Sequence, residues 1–363
     1  MGGRKVATRR AAVRALPGAT RPPRPGPPMA DTLTLRLDDP DWLAHRHVEG
    51  RDLVRFVHAP RAERHAMPFL TDEYLGERAM VDVAAAHLPS DARTPRFLFH
   101  AAFCGSTMLV HAFDRPGLAL GLSEPVLLND LVGWRRRGAG DAATDRLARI
   151  ALATLSPLAP GGEPSVIKPS NIINPLAGRL LALNPESPAI LLHAPIETFL
   201  VSVANKGLWC RLWVRELLEG LIQDGAVDLG IEPAQYFRLT DLQVAAVGWL
   251  AQMDLFAKLA GRFGARVRTL SSETLLEDPT ATIAAAAAHY RLPLDRADVA
   301  AIAGGPEFTR HSKSGEAYTA ATRAARYERV HAAHGDEIDK VAAWARAVAA
   351  NAGVPVEGPA PLV

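Results

Sequence analysis

From Arg96 onward, short apolar runs alternate with longer segments of helical length, and this alternation limits the fold more than any other feature of the chain. The runs are RFLFHA (96–101), LALGLS (118–123), SVIKP (165–169), AILLHA (189–194) and RVRTLS (266–271). They have strand length and the near-continuous apolar character of strands buried on both faces. The spacing predicts helices near 106–115, 126–137, 141–154, 175–183, 196–222 (broken at Lys206-Gly207) and 239–263. Strands joined by helices are crossover units, and these build a mostly parallel sheet with helices on both faces. The expected fold class is α/β, with a helical C-terminal part.

That C-terminal part begins at Asp278-Pro279, which opens the alanine-rich helix TATIAAAAAHY (280–290). Residues 319–350 read as one or two further helices, with Tyr327, Val330, Ile338, Val341, Trp344 and Val348 as core positions at near-helical spacing. Upstream of Arg96, TLTLRLD (32–38) and LVRFVH (53–58) read as strands. The domain reading is an extension at 29–95 packed on a main domain at 96–318, followed by a C-terminal helical segment at 319–363.

Residues 1–28 hold seven basic residues, no acidic ones and six prolines, so they read as a disordered basic extension. They are either an organelle-transit segment or sequence upstream of a start at Met29. Taking those seven charges from the net +2 of the whole chain leaves −5 for the rest. A mildly acidic body argues against a nucleic-acid partner, which calls for a clustered basic surface. No apolar run approaches the about eighteen residues that cross a bilayer, so no membrane span is expected. Two cysteines, Cys104 and Cys210, offer neither a disulfide framework nor zinc spacing, which suits the cytoplasm. His45 with His47 and His331 with His334 lack a third ligand, so they read as surface residues, and no metal is expected. Leu208, Trp209, Leu212 and Trp213 fall at helical spacing and read as core, with the lining of an acceptor pocket as the other reading. Oligomeric state leaves no trace in the sequence.

The chemistry concentrates where the first run ends, in Phe103-Cys104-Gly105-Ser106-Thr107. A glycine that permits close backbone approach, followed by two hydroxyls opening a helix, aims amide N–H groups and the positive end of a helix dipole at one spot. That spot suits a phosphate or sulfate, although a plain helix cap explains the same residues. The Walker pattern is not met, because its first glycine falls on His100 and its lysine on Ser106. The run at 189–194 also ends without the carboxylate that would hold Mg²⁺, so a degenerate kinase or NTPase is the weakest reading. Cys104 reads as a small buried residue, since no base can be placed beside it.

The order of features after this turn resembles the sulfotransferase superfamily, over roughly residues 96–315. The turn itself matches the R-S-G-S-T-like loop of that family. GLSEP supplies its Glu-Pro pair (Glu124, Pro125), and VIKPSN supplies its strand-borne lysine (Lys168). LLHAPIETFLVS matches R-x-P with a later serine (Pro195, Ser202), and SSETLLEDP matches E-x-L-x-x-D-P (Glu273, Leu276, Asp278, Pro279). The K-x-G loop is matched by Lys313-Ser314-Gly315.

The resemblance implies a P-loop-like α/β fold and 3′-phosphoadenosine 5′-phosphosulfate (PAPS) as donor to a hydroxyl or amine of a small-molecule acceptor, with no metal. It implies Glu124 as base and Lys168 as stabiliser of the bridging oxygen. Cys104, Gly105, Ser106, Thr107 and Met108 would hold the 5′-phosphosulfate, and His193, Ser202, Arg310, Lys313 and Gly315 the 3′-phosphate. Two family cations are replaced, one by Phe103 and one by His193, and Ser202 sits one residue late. Either Lys168, Arg310, His311 and Lys313 make up the charge, or the donor differs, or the chain is a non-catalytic binding or scaffold descendant of the fold. Glu124 also has a structural reading, as an acid complementing the helix that follows Pro125.

Overall fold

The computed structural model describes residues 36–37, 39–91, 93–156, 162–309 and 319–363. The basic stretch 1–28, most of the 32–38 segment and the loop carrying Arg310, His311, Lys313 and Gly315 lie outside the described residues.

The chain first forms β1 (Trp42–Val48), β2 (Leu53–His58), the short helices α1 (Arg61–His65) and α2 (Asp72–Leu75), and β3 (Met80–Ala84). These three strands make an antiparallel sheet in the order β1-β2-β3. Strand β2 falls on the predicted 53–58 run. The other expectation shifts: Arg36 and Leu37 are not strand, and the first strand starts at Trp42.

His45 and His47 are buried on β1, not at the surface, because each meets a partner. His45 Nε2 is 2.7 Å from Asp72 Oδ1, the backbone N–H of His47 donates to Asp130 Oδ2 at 2.8 Å, and the His47 ring lies 4.8 Å from that of Trp134. No group of three or more His, Cys, Asp or Glu residues suited to a metal ion occurs among the described residues.

The main sheet starts with β4 (Arg96–His100), followed by α3 (Ser106–Phe113), β5 (Leu120–Ser123), α4 (Val126–Arg136), α5 (Asp141–Leu155) and β6 (Ser165–Lys168). After a 3-10 turn at Asn171–Leu176 come α6 (Ala177–Leu183), β7 (Ala189–His193), α7 (Ile196–Asn205), α8 (Gly207–Gln223), α9 (Pro233–Tyr236), α10 (Asp241–Phe263) and β8 (Val267–Ser271). The chain closes with α11 (Ser272–Glu277), α12 (Pro279–Tyr290), α13 (Arg296–Ala303), α14 (Pro306–Thr309) and one 33-residue helix, α15 (Ala320–Ala352). All five predicted runs are strands, and the 196–222 helix breaks at the expected place, where Gly207 takes φ +66°.

The five strands are parallel in the order β5-β6-β4-β7-β8, so the fold is α/β with helices on both faces of the sheet. The first strand of the sheet is its centre. The chain leaves β4 towards β5 and β6 on one side and later returns to its other side with β7, which makes the carboxyl end of β4 a topological switch point, where open α/β sheets hold ligands. The core is continuous through Phe97, Phe99, Leu191, Leu192, Trp249 and Tyr290, all essentially solvent-free. Buried polar tips there are satisfied: Trp249 Nε1–H donates to Ala194 O at 3.0 Å, and the Tyr290 hydroxyl donates to Phe97 O at 2.9 Å. Tyr327 departs from its predicted core position, lying partly exposed and stacked on His331, while Val330, Ile338 and Val341 are buried. No helix among the described residues is long and apolar enough to cross a membrane.

Candidate functional site

The loop leaving β4 is held in an unusual shape. Ala102 (φ +69°), Phe103 (φ +52°) and Gly105 (φ +84°) all occupy the left-handed region, which costs a residue with a Cβ about 1–2 kcal/mol. His100 holds this turn: its Nδ1 accepts from the Ala102 N–H at 3.2 Å, and Nε2 therefore donates to Pro169 O at 3.1 Å. A Cβ on Gly105 would lie 3.3 Å from Met108 Cε and 3.6 Å from Leu275 Cδ2, so both the packing on that side and the positive φ call for glycine here. Helix α3 begins immediately afterwards with Ser106 and Thr107, both buried, and its first-turn amides have no helical acceptors of their own.

Glu124 and Lys168 come together at this turn. Strands β5 and β6 run parallel with Ser123 opposite Lys168, and the Glu124 N–H donates to Lys168 O at 2.6 Å, so both side chains leave the same end of the sheet. Lys168 Nζ is paired with the Glu124 carboxylate, 5.0 Å from the centroid of the Phe69 ring. Lys168 is only 1% exposed, whereas Glu124 keeps 17% of its side chain accessible. Glu124 itself sits at φ +52°, a second strained position of the kind that persists where surrounding structure imposes it. His100 Nε2 lies 3.8 Å from the same carboxylate oxygen.

A cavity of about 240 Å³ joins these parts. Its wall includes Cys104, Gly105, Ser106, Thr107, Met108, Glu124, Lys168 and Ser202, together with residues that sequence reasoning did not assign: Phe69, His100, Asn171, Lys206 and Arg326. Asn171 belongs to a buried amide network in which Asn174 Nδ2 donates to His100 O (3.0 Å) and to Gln252 Oε1 (2.9 Å), tying the 3-10 turn after β6 to β4 and α10. Cys104 is buried, and burial pushes its thiol up to about 11, which keeps it protonated and consistent with its reading as a packing residue.

The aromatic segment of α8 corrects an expectation. Leu208 (70% exposed), Trp209 (66%) and Leu212 are not core, because α8 turns Cys210, Val214, Leu217 and Leu221 inward and leaves a second apolar stripe outside. Trp209 and Trp213 line the cavity and stack on each other at 6.5 Å between centroids. Trp213 meets the Phe103 ring edge-on at 5.5 Å.

His193 is not brought to this cavity. It lines a separate one of about 450 Å³, with Pro195, Glu197, Thr269, Glu273 and Gly358. The C-terminal strand-like segment covers it: Thr269 N–H donates to Ala360 O at 3.1 Å, Leu362 N–H donates to Thr269 O at 2.8 Å, and a Cβ on Gly358 would stand 2.7 Å from His193 Cε1. Burial pushes the His193 pKa down to about 4, and Nδ1 has no hydrogen-bond partner.

A stability prediction follows from that shift. Between pH 6.5 and about 4 the unfolded chain takes a proton on His193 that the folded chain refuses, so stability is complete above pH 6.5 and falls as pH drops through this window. The loss is roughly 3 kcal/mol at pH 4, from about 1.4 kcal/mol per pH unit. Urea unfolding midpoints of wild type and His193→Gln between pH 4.5 and 7 check it: the variant should show the shallower slope, and parallel slopes would refute the assignment.

No protein-family model matches the chain, and no curated protein matches it either. In structure it is similar to the sulfotransferase domain from the curacin biosynthetic pathway, at 13% identity and TM-score 0.41, over 68% of this chain and 99% of that one. It is also similar to the sulfotransferase domain from the Synechococcus PCC 7002 olefin synthase, at 14% identity and TM-score 0.37, over 60% of this chain and 80% of that one. The α/β assignment rests on the strand order and parallel connections above.

Proposed function

We propose that this protein is a sulfotransferase that moves a sulfuryl group from PAPS to a hydroxyl or amine of a small-molecule acceptor. The observation that carries the reading is the meeting of Glu124 and Lys168 in the cavity walled by the Gly105–Thr107 turn. A base and a buried cation lie beside a ready-made anion cradle, and the family resemblance of the sequence points to the same three parts.

The residues present fit the anionic end of such a donor. The first-turn amides of α3, which have no acceptor within the helix, and the hydroxyls of Ser106 and Thr107 offer donors and dipole to a phosphate or sulfate. They do not fit a phosphate at His193, which is neutral at physiological pH and shares its cavity with Glu197 and Glu273. When bound, PAPS supplies an activated sulfuryl group and a stable leaving group, adenosine 3′,5′-bisphosphate.

Glu124 keeps enough exposure to meet an acceptor and takes its proton as the acceptor oxygen or nitrogen bonds to sulfur. Lys168, in a nearly dry position where charge acts strongly, stabilises the negative charge on the bridging oxygen as the S–O bond breaks. His100 acts at one remove, by holding the Ala102–Phe103 turn from which the cradle is built.

Calorimetry tests the reading: the wild-type chain should bind adenosine 3′,5′-bisphosphate without added Mg²⁺, and Ser106→Ala should weaken it by about tenfold, the loss of one charge-assisted hydrogen bond. A flat titration at millimolar ligand would remove PAPS chemistry. Binding without transfer to any acceptor in a panel of alcohols, phenols and amines would favour the non-catalytic descendant.

A further inference from the structure

Strands β4 and β6 carry the two halves of the candidate site, and their backbone ladder stops short of it. They pair at Arg96 with Val166 and at Phe97 with Ile167, whereas the Gly105–Thr107 cradle leaves β4 after His100 and Lys168 ends β6. Pro169, the next residue, has no N–H with which to extend the ladder. At this end of the sheet the two strands are tied by side chains.

The His100 ring spans the gap. The Ala102 N–H can only donate and the Pro169 carbonyl can only accept, so the bonds at 3.2 and 3.1 Å fix a neutral ring with its proton on Nε2 and a lone pair on Nδ1. The residue is buried and its backbone is anchored: its carbonyl accepts from Asn174 Nδ2 at 3.0 Å, and the following N–H, of Ala101, donates to Leu192 O at 3.0 Å. One rigid ring therefore joins the left-handed Ala102–Phe103 turn to the backbone next to Lys168. The Glu124 N–H donates to Lys168 O, so both members of the pair hang on the backbone that the ring holds.

We infer that His100 is a positioning residue that sets the anion cradle in register with the Glu124–Lys168 pair, and that its two nitrogens have separable tasks. Nδ1 shapes the cradle and governs donor affinity, whereas Nε2 places Lys168 and governs turnover. This rests on the proposed sulfuryl transfer. A misplacement of about 1 Å at a reacting centre can cost on the order of 10²-fold in rate, so a tie between the part that holds the donor and the part that stabilises its leaving oxygen acts on kcat directly.

Two variants of the full-length chain each keep one of the bonds. Asn puts its amide oxygen close to the place of Nδ1 and accepts from Ala102, and Gln puts its amide nitrogen close to the place of Nε2 and donates to Pro169. His100→Asn should bind adenosine 3′,5′-bisphosphate nearly as wild type does, yet lose about tenfold or more in kcat for release of that product from PAPS with a panel of alcohols, phenols and amines. His100→Gln should weaken the bisphosphate by about tenfold and keep the larger share of kcat. Nitrogen NMR of the imidazole rings needs no ligand: the signals lost in His100→Asn should be those of a neutral ring protonated at Nε2. Thermal unfolding of each variant shows whether it is folded. A wild-type ring protonated at Nδ1 at neutral pH, or equal loss of affinity in the two variants, would overturn the positioning role while the transfer reading stands. Turnover abolished in both with affinity intact would make His100 the base and overturn it as well. If wild type binds no bisphosphate, both readings fall together.

Discussion

Replacing Lys168 by Met should lower donor turnover by about 10²- to 10³-fold, the range seen when one preorganised donor to a developing oxyanion is removed. The substitution isolates charge from packing. Met has nearly the reach of Lys, and its thioether suits the Phe69 ring that now lies under the ammonium. The measurement is release of adenosine 3′,5′-bisphosphate from PAPS in the presence of an acceptor panel, with affinity for the bisphosphate read separately. A loss confined to kcat places Lys168 at the bond that breaks, whereas a rise in KM with kcat unchanged would reduce it to a binding residue and sink the mechanism.

The five central strands are legible in the sequence because burial on both faces leaves a continuous apolar run, bounded by turns, that no exposed element imitates. Strand β1 is not, because His45, Arg46 and His47 interrupt its apolar pattern, and their surroundings come from elsewhere in the chain: Asp72 beside His45 and Arg46, Asp130 beside Arg46, and the Trp134 ring against His47. The α8 segment shows the complementary limit. Helical spacing identifies Leu208, Trp209 and Leu212 as one stripe, but which stripe of a doubly apolar helix turns inward is decided by α7 and α10, not by the period.

The site divides in the same way. Gly105, Ser106 and Thr107 are readable as a local turn, and Glu124 and Lys168 as the ends of strand-length runs. Their contact is a matter of parallel register, Ser123 beside Lys168, across 44 residues of sequence. His100 and Phe69 carry no local signature: His100 ends an apolar strand-length run, and Phe69 stands in the loop between two short helices.

The Glu124–Lys168 pair should cost the protein stability, and a double-mutant cycle can read how much. Glu124→Gly alone removes the carboxylate from a nearly dry lysine, a change that typically destabilises by about 3–5 kcal/mol. Part of that is returned, because glycine accepts φ +52° without the roughly 1–2 kcal/mol that a Cβ costs in the left-handed region. The single variant should therefore lose about 1–4 kcal/mol in urea unfolding at pH 7. Adding Lys168→Met removes the unpaired charge, so the double variant should recover the loss and exceed wild type by about 1–4 kcal/mol, as apolar replacements of buried ion pairs often do. The same double variant should have no measurable turnover. A double variant less stable than Glu124→Gly would mean that the pair holds the sheet edge together and was placed there for folding. The opposite outcome identifies a carboxylate on strained backbone and its buried ammonium partner, at the carboxyl ends of β5 and β6, as a pair that reduces stability and is retained for chemistry.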